Sequence, residues 1–564
     1  MADQSLPAHQ LPLTAALRKA DEELTGPGGA FETVTATVGG NEMLVFRNRM
    51  HSLGELLAST EAFGDRLAMT FSDGRQVTFT EFITDVASVA DWMSSEYGTS
   101  KGDRVALCAA NCYGWIVSFW ASLTLGAITV AMNGWWTTPE MQHAIDLTDP
   151  KLLLFDARRA ERLESQSAPV VLFEDRLEEM LNYAQRSSLP FASVDEDDPA
   201  ILIFTSGTTG RPKAAVLSHR SVIAYSTLQN YIAARSMHLM GIAPTPGGPQ
   251  PVRLAVFPLF HVSGLGATVN SLHVGATTAW YLGRFEADAV IRFVIDNNVN
   301  IIGGTGTHIL RLLDHPDCAL IPPQQVLSVG MGGSATTPEI LRRLANRFPH
   351  LDHTMSTGYG STETGALVSF APNALLEATP ECIGPPLPTV SVRICDENGK
   401  VLPEGEEGNI CVKSPLVMSE YWRHPSANAE AFSDGYFNTG DFGRLIDGVL
   451  HIASRKRDII IRGGENIYPF EIENCIEELP GVIETAVFGV DHDTLGQEVK
   501  AVIVIAADST ITEVDVHEHC KKSLAVYKIP AYVELRTERL PRNPSGKILK
   551  HVVATGADAG FVEE

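Results

Sequence analysis

Four short stretches of this sequence concentrate groups able to handle phosphate. The densest is Thr205-Ser206-Gly207-Thr208-Thr209-Gly210-Arg211-Pro212-Lys213. Its hydroxyl side chains are interspersed with glycines whose backbone can approach a ligand closely. Such a loop offers many N–H and O–H donors, and Lys213 adds a compact positive charge suited to a polyphosphate. It is not the P-loop of nucleotide triphosphatases, because no Gly-Lys-Ser/Thr follows at the required spacing. In Gly358-Tyr359-Gly360-Ser361-Thr362-Glu363, an aromatic ring could stack on a base, a hydroxyl could reach a phosphate, and a carboxylate could hold Mg²⁺. In Thr439-Gly440-Asp441, a loop aspartate could accept two ribose hydroxyls. Pro544-Ser545-Gly546-Lys547 places a lysine near the C-terminus. Each has a plainer reading when taken alone: a surface turn, a glycine-rich strand turn with one exposed acid, an isolated loop aspartate, a solvated lysine.

The elements that must position these groups alternate between strand-like apolar runs and helical patterns, as in a layered α/β architecture. Ala200–Phe204 reads as a buried strand running into the 205–213 loop, and Leu254–Phe257 and Val326–Val329 as similar short strands. After the last, Thr337-Pro338-Glu339 opens a helix with a capping residue and a proline at its first position. That helix places Ile340, Leu341, Leu344 and Phe348 on one face. Loops at strand C-terminal ends are where such sheets bind ligands. The texture changes near residue 450. Gly448–Ile452 reads as the last strand of the large part, followed by the charged cluster 454–458 and a compact α+β pattern of about one hundred residues. Its first helix starts at Tyr468-Pro469 with Ile472, Cys475, Ile476 and Leu479 on one face, and strands follow at Thr485–Val490 and Val499–Ile505. The expected division is therefore 1–454 for a large α/β domain of layered sheets and helices, and 455–564 for a small α+β domain joined by a hinge.

At 564 residues the chain is too long for a single core. Acidic residues outnumber basic ones, 68 to 43, for a formal charge of −25, which would repel nucleic acid or an anionic membrane surface. Positive charge must then be concentrated wherever a phosphate binds. The eight widely spaced cysteines do not suggest a disulfide framework, so reduced thiols and a cytoplasmic location are expected. Cys108 and Cys112 lack a second pair to complete a zinc set, and His517-Glu518-His519-Cys520 sits in helical texture where i and i+2 point apart. Residues 1–25 have no secretory character. The uncharged stretch Trp115–Trp136 is long enough for a bilayer, but its serines, threonines, glycine and asparagine fit a buried helix ending near Gly126 and a buried strand Ala127–Met132.

Taken together and in order, the four stretches resemble the core motifs of the adenylate-forming superfamily of acyl-CoA synthetases, luciferases and peptide-synthetase adenylation domains. The likeness spans about residues 50–550 and extends to Phe257-Pro258-Leu259-Phe260-His261, Gly332-Gly333-Ser334-Ala335, Gly463-Gly464-Glu465-Asn466 and Tyr527-Lys528-Ile529-Pro530. It implies ATP, Mg²⁺ and coenzyme A as co-substrates and cofactors, with a small-molecule carboxylic acid as the acyl substrate. Residues 205–210 and Lys213 would grip the β- and γ-phosphates, and Thr208 would share Mg²⁺ with Glu363. Adenine would lie between Tyr359 and the backbone of Gly332, Gly333 and Ser334, with Gly358, Gly360 and Ser361 shaping the loop. Thr362 would touch the α-phosphate, Asp441 and Arg455 would hold the ribose, and Lys547 would bridge the substrate carboxylate and the α-phosphate. His261 resembles the histidine that separates acyl pocket from nucleotide, and equally reads as a packed core residue. Arg457 matches the hinge position, and equally reads as a surface arginine in a basic cluster. Gly463, Gly464 and Glu465 would line the pantetheine tunnel.

The resemblance implies an acid–thiol ligase in which the small domain rotates between adenylation and thioester formation. A fatty acyl-AMP ligase loading a carrier protein shares the adenylation motifs, and a membrane fatty-acid transport protein would use 115–136 as a span. An amino-acid adenylation domain would carry an aspartate near 257–261, where none stands. Gly303, Gly304, Gly306, Gly330 and Gly332 fall in segments that line the acyl pocket in relatives, so a bulky apolar acid (fatty, aryl or steroid-derived) is expected. No nucleic-acid partner and no integral membrane span are expected; a homodimer and peripheral membrane contact stay compatible with the reading. Ala214, Ser454 and Asn133-Gly134-Trp135-Trp136 depart from the superfamily pattern.

Overall fold

The computed structural model describes residues 7–164, 166–184, 188–205, 212–243, 248–331, 338–351, 355–379, 381–455, 458–462, 465–492, 494–542 and 548–556. Two sheets form the centre of the large part. The first is ordered Lys213–Ser218, Pro199–Thr205, Ile128–Ala131, Arg104–Cys108, Leu152–Phe155, Val170–Leu172, parallel except for its first strand. The second runs Ser369–Pro372, Ser356–Tyr359, Ser328–Met331, Ile301–Gly304, Val252–Ala255, Thr277–Trp280, Leu67–Phe71, Gln76–Thr78, with only its two outer pairs antiparallel. Runs such as Leu152–Phe155 and Ile128–Ala131 are buried throughout, as parallel strands covered on both faces must be.

The helix Tyr113–Thr124, buried at every residue, packs in one apolar core with side chains of both sheets: Leu107 and Ile201 from the first, Phe71 and Trp280 from the second. Two of its hydroxyls are absorbed locally: Ser122 donates to the Ser118 carbonyl at 2.8 Å and Thr124 to the Ala121 carbonyl at 2.9 Å. With the strand Ile128–Ala131 it accounts for the uncharged stretch, and no described helix is long and apolar enough to cross a membrane.

A third, antiparallel sheet (Cys382–Gly384, Val449–Arg455, Tyr436–Ile446, Gly408–Lys413, Ser391–Cys395) abuts these two. Its central hairpin turns at Asp447-Gly448, both at positive φ (47° and 70°), the pairing a tight hairpin needs. Gly448 is thus a turn residue, and the strand expected from 448 starts one residue later and extends to Arg455.

The C-terminal part is a separate sheet of five strands, Glu465–Ile467, Ile460–Arg462, Gly496–Ile505, Val482–His492 and Tyr532–Arg536. The helices Pro469–Glu477 and Glu513–Ser523 bury Ile472, Cys475, Ile476, Val516 and Cys520 in its core. In the second helix, His517 pairs with the Pro530 carbonyl (2.8 Å) while His519 lies 3.3 Å from Glu478, so the two imidazoles serve different neighbours. The molecule is a large α/β unit of layered sheets followed by a smaller α+β unit.

Candidate active site

The described residues of three phosphate-type motifs (Thr205 and Lys213, 358–363, and 439–441) meet where the three sheets of the large part come together. Thr205 ends the strand Pro199–Thr205 and Lys213 starts its antiparallel neighbour directly opposite, so the two residues flank the mouth of the loop between them. Beside that edge strand runs the segment 418–422. Trp422 N donates to the Ala214 carbonyl (2.8 Å), Val216 N to the Glu420 carbonyl (2.9 Å) and Ser419 N to the Val216 carbonyl (3.0 Å). This backbone pairing brings the Tyr421 ring to 4.8 Å from Lys213 Nζ. The phenol of the same tyrosine donates to Glu363 Oε1 at 3.2 Å, and Met418 N donates to the Glu363 carbonyl at 2.8 Å. A cation, an aromatic ring and a carboxylate from three segments therefore meet around Tyr421, the lysine over the ring and the carboxylate at its phenol. Burial, then the Glu363 charge, pushes the Tyr421 phenol well above its ordinary pKa, so it acts as a donor.

Glu363 is presented by a tight loop following the strand Ser356–Tyr359. Ser361 N donates to Thr364 Oγ1 (2.8 Å), Ala366 N to the Ser361 carbonyl (2.7 Å) and Val368 N to the Tyr359 carbonyl (2.7 Å). Such tightness requires Gly365 at φ 65°, where a side-chain Cβ would also lie 2.3 Å from the Leu416 carbonyl oxygen. At the base of this loop the Tyr359 phenol donates to Asp441 Oδ2 at 2.7 Å. Asp441 is buried in the third sheet opposite Arg455, and its N–H is taken by Thr439 Oγ1. The tyrosine proposed for the base and the aspartate proposed for the ribose are thus directly bonded.

His261 caps the helix Val262–Val274, with Nε2 buried and without a hydrogen-bond partner among the described residues. Burial pulls its pKa down to about 4, so the ring is neutral at pH 7. The Asn133-Gly134-Trp135-Trp136 departure now has a structural account. Trp135 packs edge-on against Phe260 (5.0 Å between ring centres), beside His261, and Trp136 against Phe204 (4.9 Å), which precedes Thr205. One short segment buttresses two of the motifs.

Among the expected site residues, Ser206, Gly207, Thr208, Thr209, Gly210, Gly332, Gly333, Ser334, Arg457, Gly463, Gly464 and Lys547 lie outside the described residues, as do the side chains of Arg455 and Glu465. Thr205, Lys213, Gly358, Tyr359, Gly360, Ser361, Thr362, Glu363 and Asp441 are brought together; His261 lies on the flank formed by the second sheet. Tyr421 escaped the sequence reading, because it belongs to no glycine-rich or charged string. Among the described residues there is no group of three or more histidine, cysteine or acidic side chains able to hold a metal. The Glu363 carboxylate offers oxygen donors only, which fits Mg²⁺ that keeps its waters and shares phosphate oxygens.

A sheet junction of this kind, with a hydroxyl-rich loop at one strand end and a carboxylate loop at another, defines a nucleotide-using enzyme of the adenylate-forming class. Residues 56–422 match the family described as AMP-binding enzyme, and residues 471–547 match the AMP-binding enzyme C-terminal domain; the chain belongs to this family. It is 33% identical over 492 residues to a 2-succinylbenzoate–CoA ligase of Bacillus licheniformis, covering 86% of this chain and 96% of that one. It is also 33% identical to the long-chain-fatty-acid–CoA ligase FadD13 of Mycobacterium tuberculosis, over 81% and 88% of the two chains. The ATP-bound structure of MatB from Rhodopseudomonas palustris superposes with a TM-score of 0.77 at 29% identity, covering 89% and 98%. The chain is an AMP-forming acid–CoA ligase that uses ATP, Mg²⁺ and coenzyme A.

Proposed function

We propose that this enzyme activates a bulky, apolar carboxylic acid. The acid's carboxylate attacks the α-phosphorus of ATP, the bond to the bridging oxygen breaks and pyrophosphate departs; the CoA thiol then attacks the acyl carbonyl and AMP departs. Two anions must meet in the first step, so catalysis rests on cations and donors fixed in advance around the phosphates. Lys213 supplies one such cation, held over the ring of the tyrosine whose phenol bonds Glu363. Glu363, with Thr208, would hold Mg²⁺, which when bound neutralises charge on the phosphates. Asp441 and Arg455 take the ribose hydroxyls, Tyr359 sets the adenine plane, and Thr362 faces the α-phosphate. Lys547, outside the described residues, bridges the carboxylate and the α-phosphate; its division from the large domain falls at 454/455, with Arg457 as the hinge and Gly463, Gly464 and Glu465 along the thiol's path. A cytoplasmic site of action belongs to the same reading, with all eight cysteines free.

The observation that carries the reading is the Lys213–Tyr421–Glu363 cluster, within one junction with the Tyr359–Asp441 pair. The preference for a bulky acid is supported by open space beside two strand glycines. Among the described residues a Cβ on Gly330 would meet nothing within 4 Å and one on Gly303 only the Leu254 carbonyl at 3.6 Å, whereas one on Gly304 would lie 3.0 Å from His308 Cβ. Nearby His308, neutral because burial pulls it to about 4, stacks on Phe285 at 4.5 Å and adds no charge to that surface. Pyrophosphate exchange over acetate, hexanoate, palmitate, cinnamate and a steroid acid tests this. Exchange should be strongest with the larger acids; a strong acetate preference refutes the roomy pocket. Lys547→Ala should lower exchange by about 10²–10³-fold, and exchange at the wild-type rate refutes the role given to that lysine.

A further inference from the structure

The small domain contains a cluster of partly buried charge that the reaction as described does not use. Three glutamates face one another across the helix Pro469–Glu477 and the strand Val482–His492: Glu473 and Glu477 on the helix, Glu484 on the strand. Their partners come from the two chain segments that bracket residues 543–547. Upstream, Arg542 Nη2 donates to Glu484 Oε2, while Glu484 Oε1 accepts from Leu540 N at 2.8 Å; Glu484 is 3% exposed. Downstream, Lys550 Nζ lies 2.6 Å from Glu473 Oε1, which also accepts from Val487 N at 2.7 Å. The two segments are themselves joined, with Arg542 and Ile548 in an antiparallel bridge and Leu549 N donating to the Pro541 carbonyl at 2.8 Å. Leu540 packs beneath them with Phe488 and Val502, and Ile548 rests on the same cluster.

We propose that Glu484 and Glu473 are positioning residues for adenylation: through Arg542 and Lys550 they clamp both ends of the five-residue connection that carries Lys547, and so fix where that lysine can reach. A lysine on a flexible stem is only as well placed as the backbone that carries it, and here the backbone is pinned five residues before and three residues after it. Partly buried pairs of this kind contribute little net stability, but breaking one singly leaves its partner's charge uncompensated, which suits them to holding geometry. Glu477 completes the arrangement. Its carboxyl accepts from Thr485 N at 2.9 Å, and burial, then the neighbouring Glu473, pushes it up to about 8. It is therefore protonated at neutral pH, and two negative charges, not three, face the two cations. A displacement of about 1 Å in a reacting group can cost about 10²-fold in rate.

The inference rests on the role proposed for Lys547, so Lys547→Ala is measured in parallel. Glu484→Gln keeps an acceptor for Leu540 N and removes the ion pair. It should lower pyrophosphate exchange about 10²-fold, with the ATP KM little changed, while thioester formation from supplied acyl-adenylate and CoA stays at the wild-type rate. Glu473→Gln should act in the same direction, and Arg542→Lys, which keeps the charge, should lose less exchange than Arg542→Ala. In a Lys547→Ala background, Glu484→Gln should add nothing. Normal exchange in both glutamine variants, an equal loss in both half-reactions, or full additivity with Lys547→Ala would overturn the clamp. If Lys547→Ala itself exchanges normally, the lysine assignment fails first and the clamp falls with it.

Discussion

Replacing Tyr421 by phenylalanine isolates one bond in the proposed nucleotide site. The change removes the phenol that donates to Glu363 Oε1 at 3.2 Å and leaves the ring that lies 4.8 Å from Lys213 Nζ. The backbone bridge between Ala215 and Tyr421 is untouched, so the segment keeps its seat along the edge strand. A hydrogen bond to a charged group contributes about 1.5–3 kcal/mol net. The observed length is at the long end, which favours the lower figure, and about 1.4 kcal/mol corresponds to tenfold. Without its donor, the Glu363 carboxylate is free to turn away from the metal position, and loss of such an orienting partner costs 10–100-fold in metal affinity. Pyrophosphate exchange titrated with free Mg²⁺ at saturating ATP should show the half-saturating Mg²⁺ concentration raised about tenfold, with the melting temperature close to wild type. Tyr421→Leu, which also removes the ring from beneath Lys213, should in addition raise the KM for ATP. An unshifted Mg²⁺ titration in a folded Tyr421→Phe protein would refute the idea that this tyrosine orients the metal-holding carboxylate.

Helix faces were legible from the sequence because they depend on local periodicity: Ile340, Leu341, Leu344 and Phe348 all point into the core as the spacing required. Strand ends were less so. The strand expected at 254–257 is Val252–Ala255, since pairing begins with Val252 N on Asn300 Oδ1 and the Phe257 carbonyl is instead given to Asn111 Nδ2. The strand expected at 326–329 is Ser328–Met331 for a related reason. Val326 closes a short 3₁₀ turn, while Gly330, which reads as loop by composition, pairs in register with Gly303 of the neighbouring strand. Parallel pairing between two glycine-bearing strands is a tertiary fact, invisible in a window of ten residues. The site divides the same way. Glycine- and hydroxyl-rich strings announce loops able to hold phosphate, but Tyr421 becomes part of the site only because backbone pairing lays 418–422 along 213–218, and Glu484 matters only because Arg542, 58 positions away, returns to it.

Two further perturbations follow from backbone geometry and buried charge. Gly365→Ala should cost about 3 kcal/mol, combining left-handed strain with a Cβ forced against the Leu416 carbonyl. Gly440→Ala, also at positive φ (73°) but with no described atom within 4 Å of the added carbon, should lose only the conformational part, about 1–2 kcal/mol. Denaturant midpoints of the two variants measure the difference, and equal losses would show that the close approach at Gly365 relaxes. The second concerns Glu477, whose folded-state pKa is raised from 4.5 to about 8. Between those values the folded chain holds a proton that the unfolded chain has released, so the stability of the small domain must fall as pH rises through that interval and level off above about 8. The neutral carboxyl also keeps a third charge away from Glu473 and Glu484, whose charges push it up, while Arg542 pulls it down. Glu477→Gln, permanently neutral and of the same shape, should therefore flatten the decline between pH 6 and pH 8.5 without changing stability at pH 5. Chemical denaturation across that range reads it directly, and a decline as steep in the glutamine variant as in the wild type would place the proton on another group.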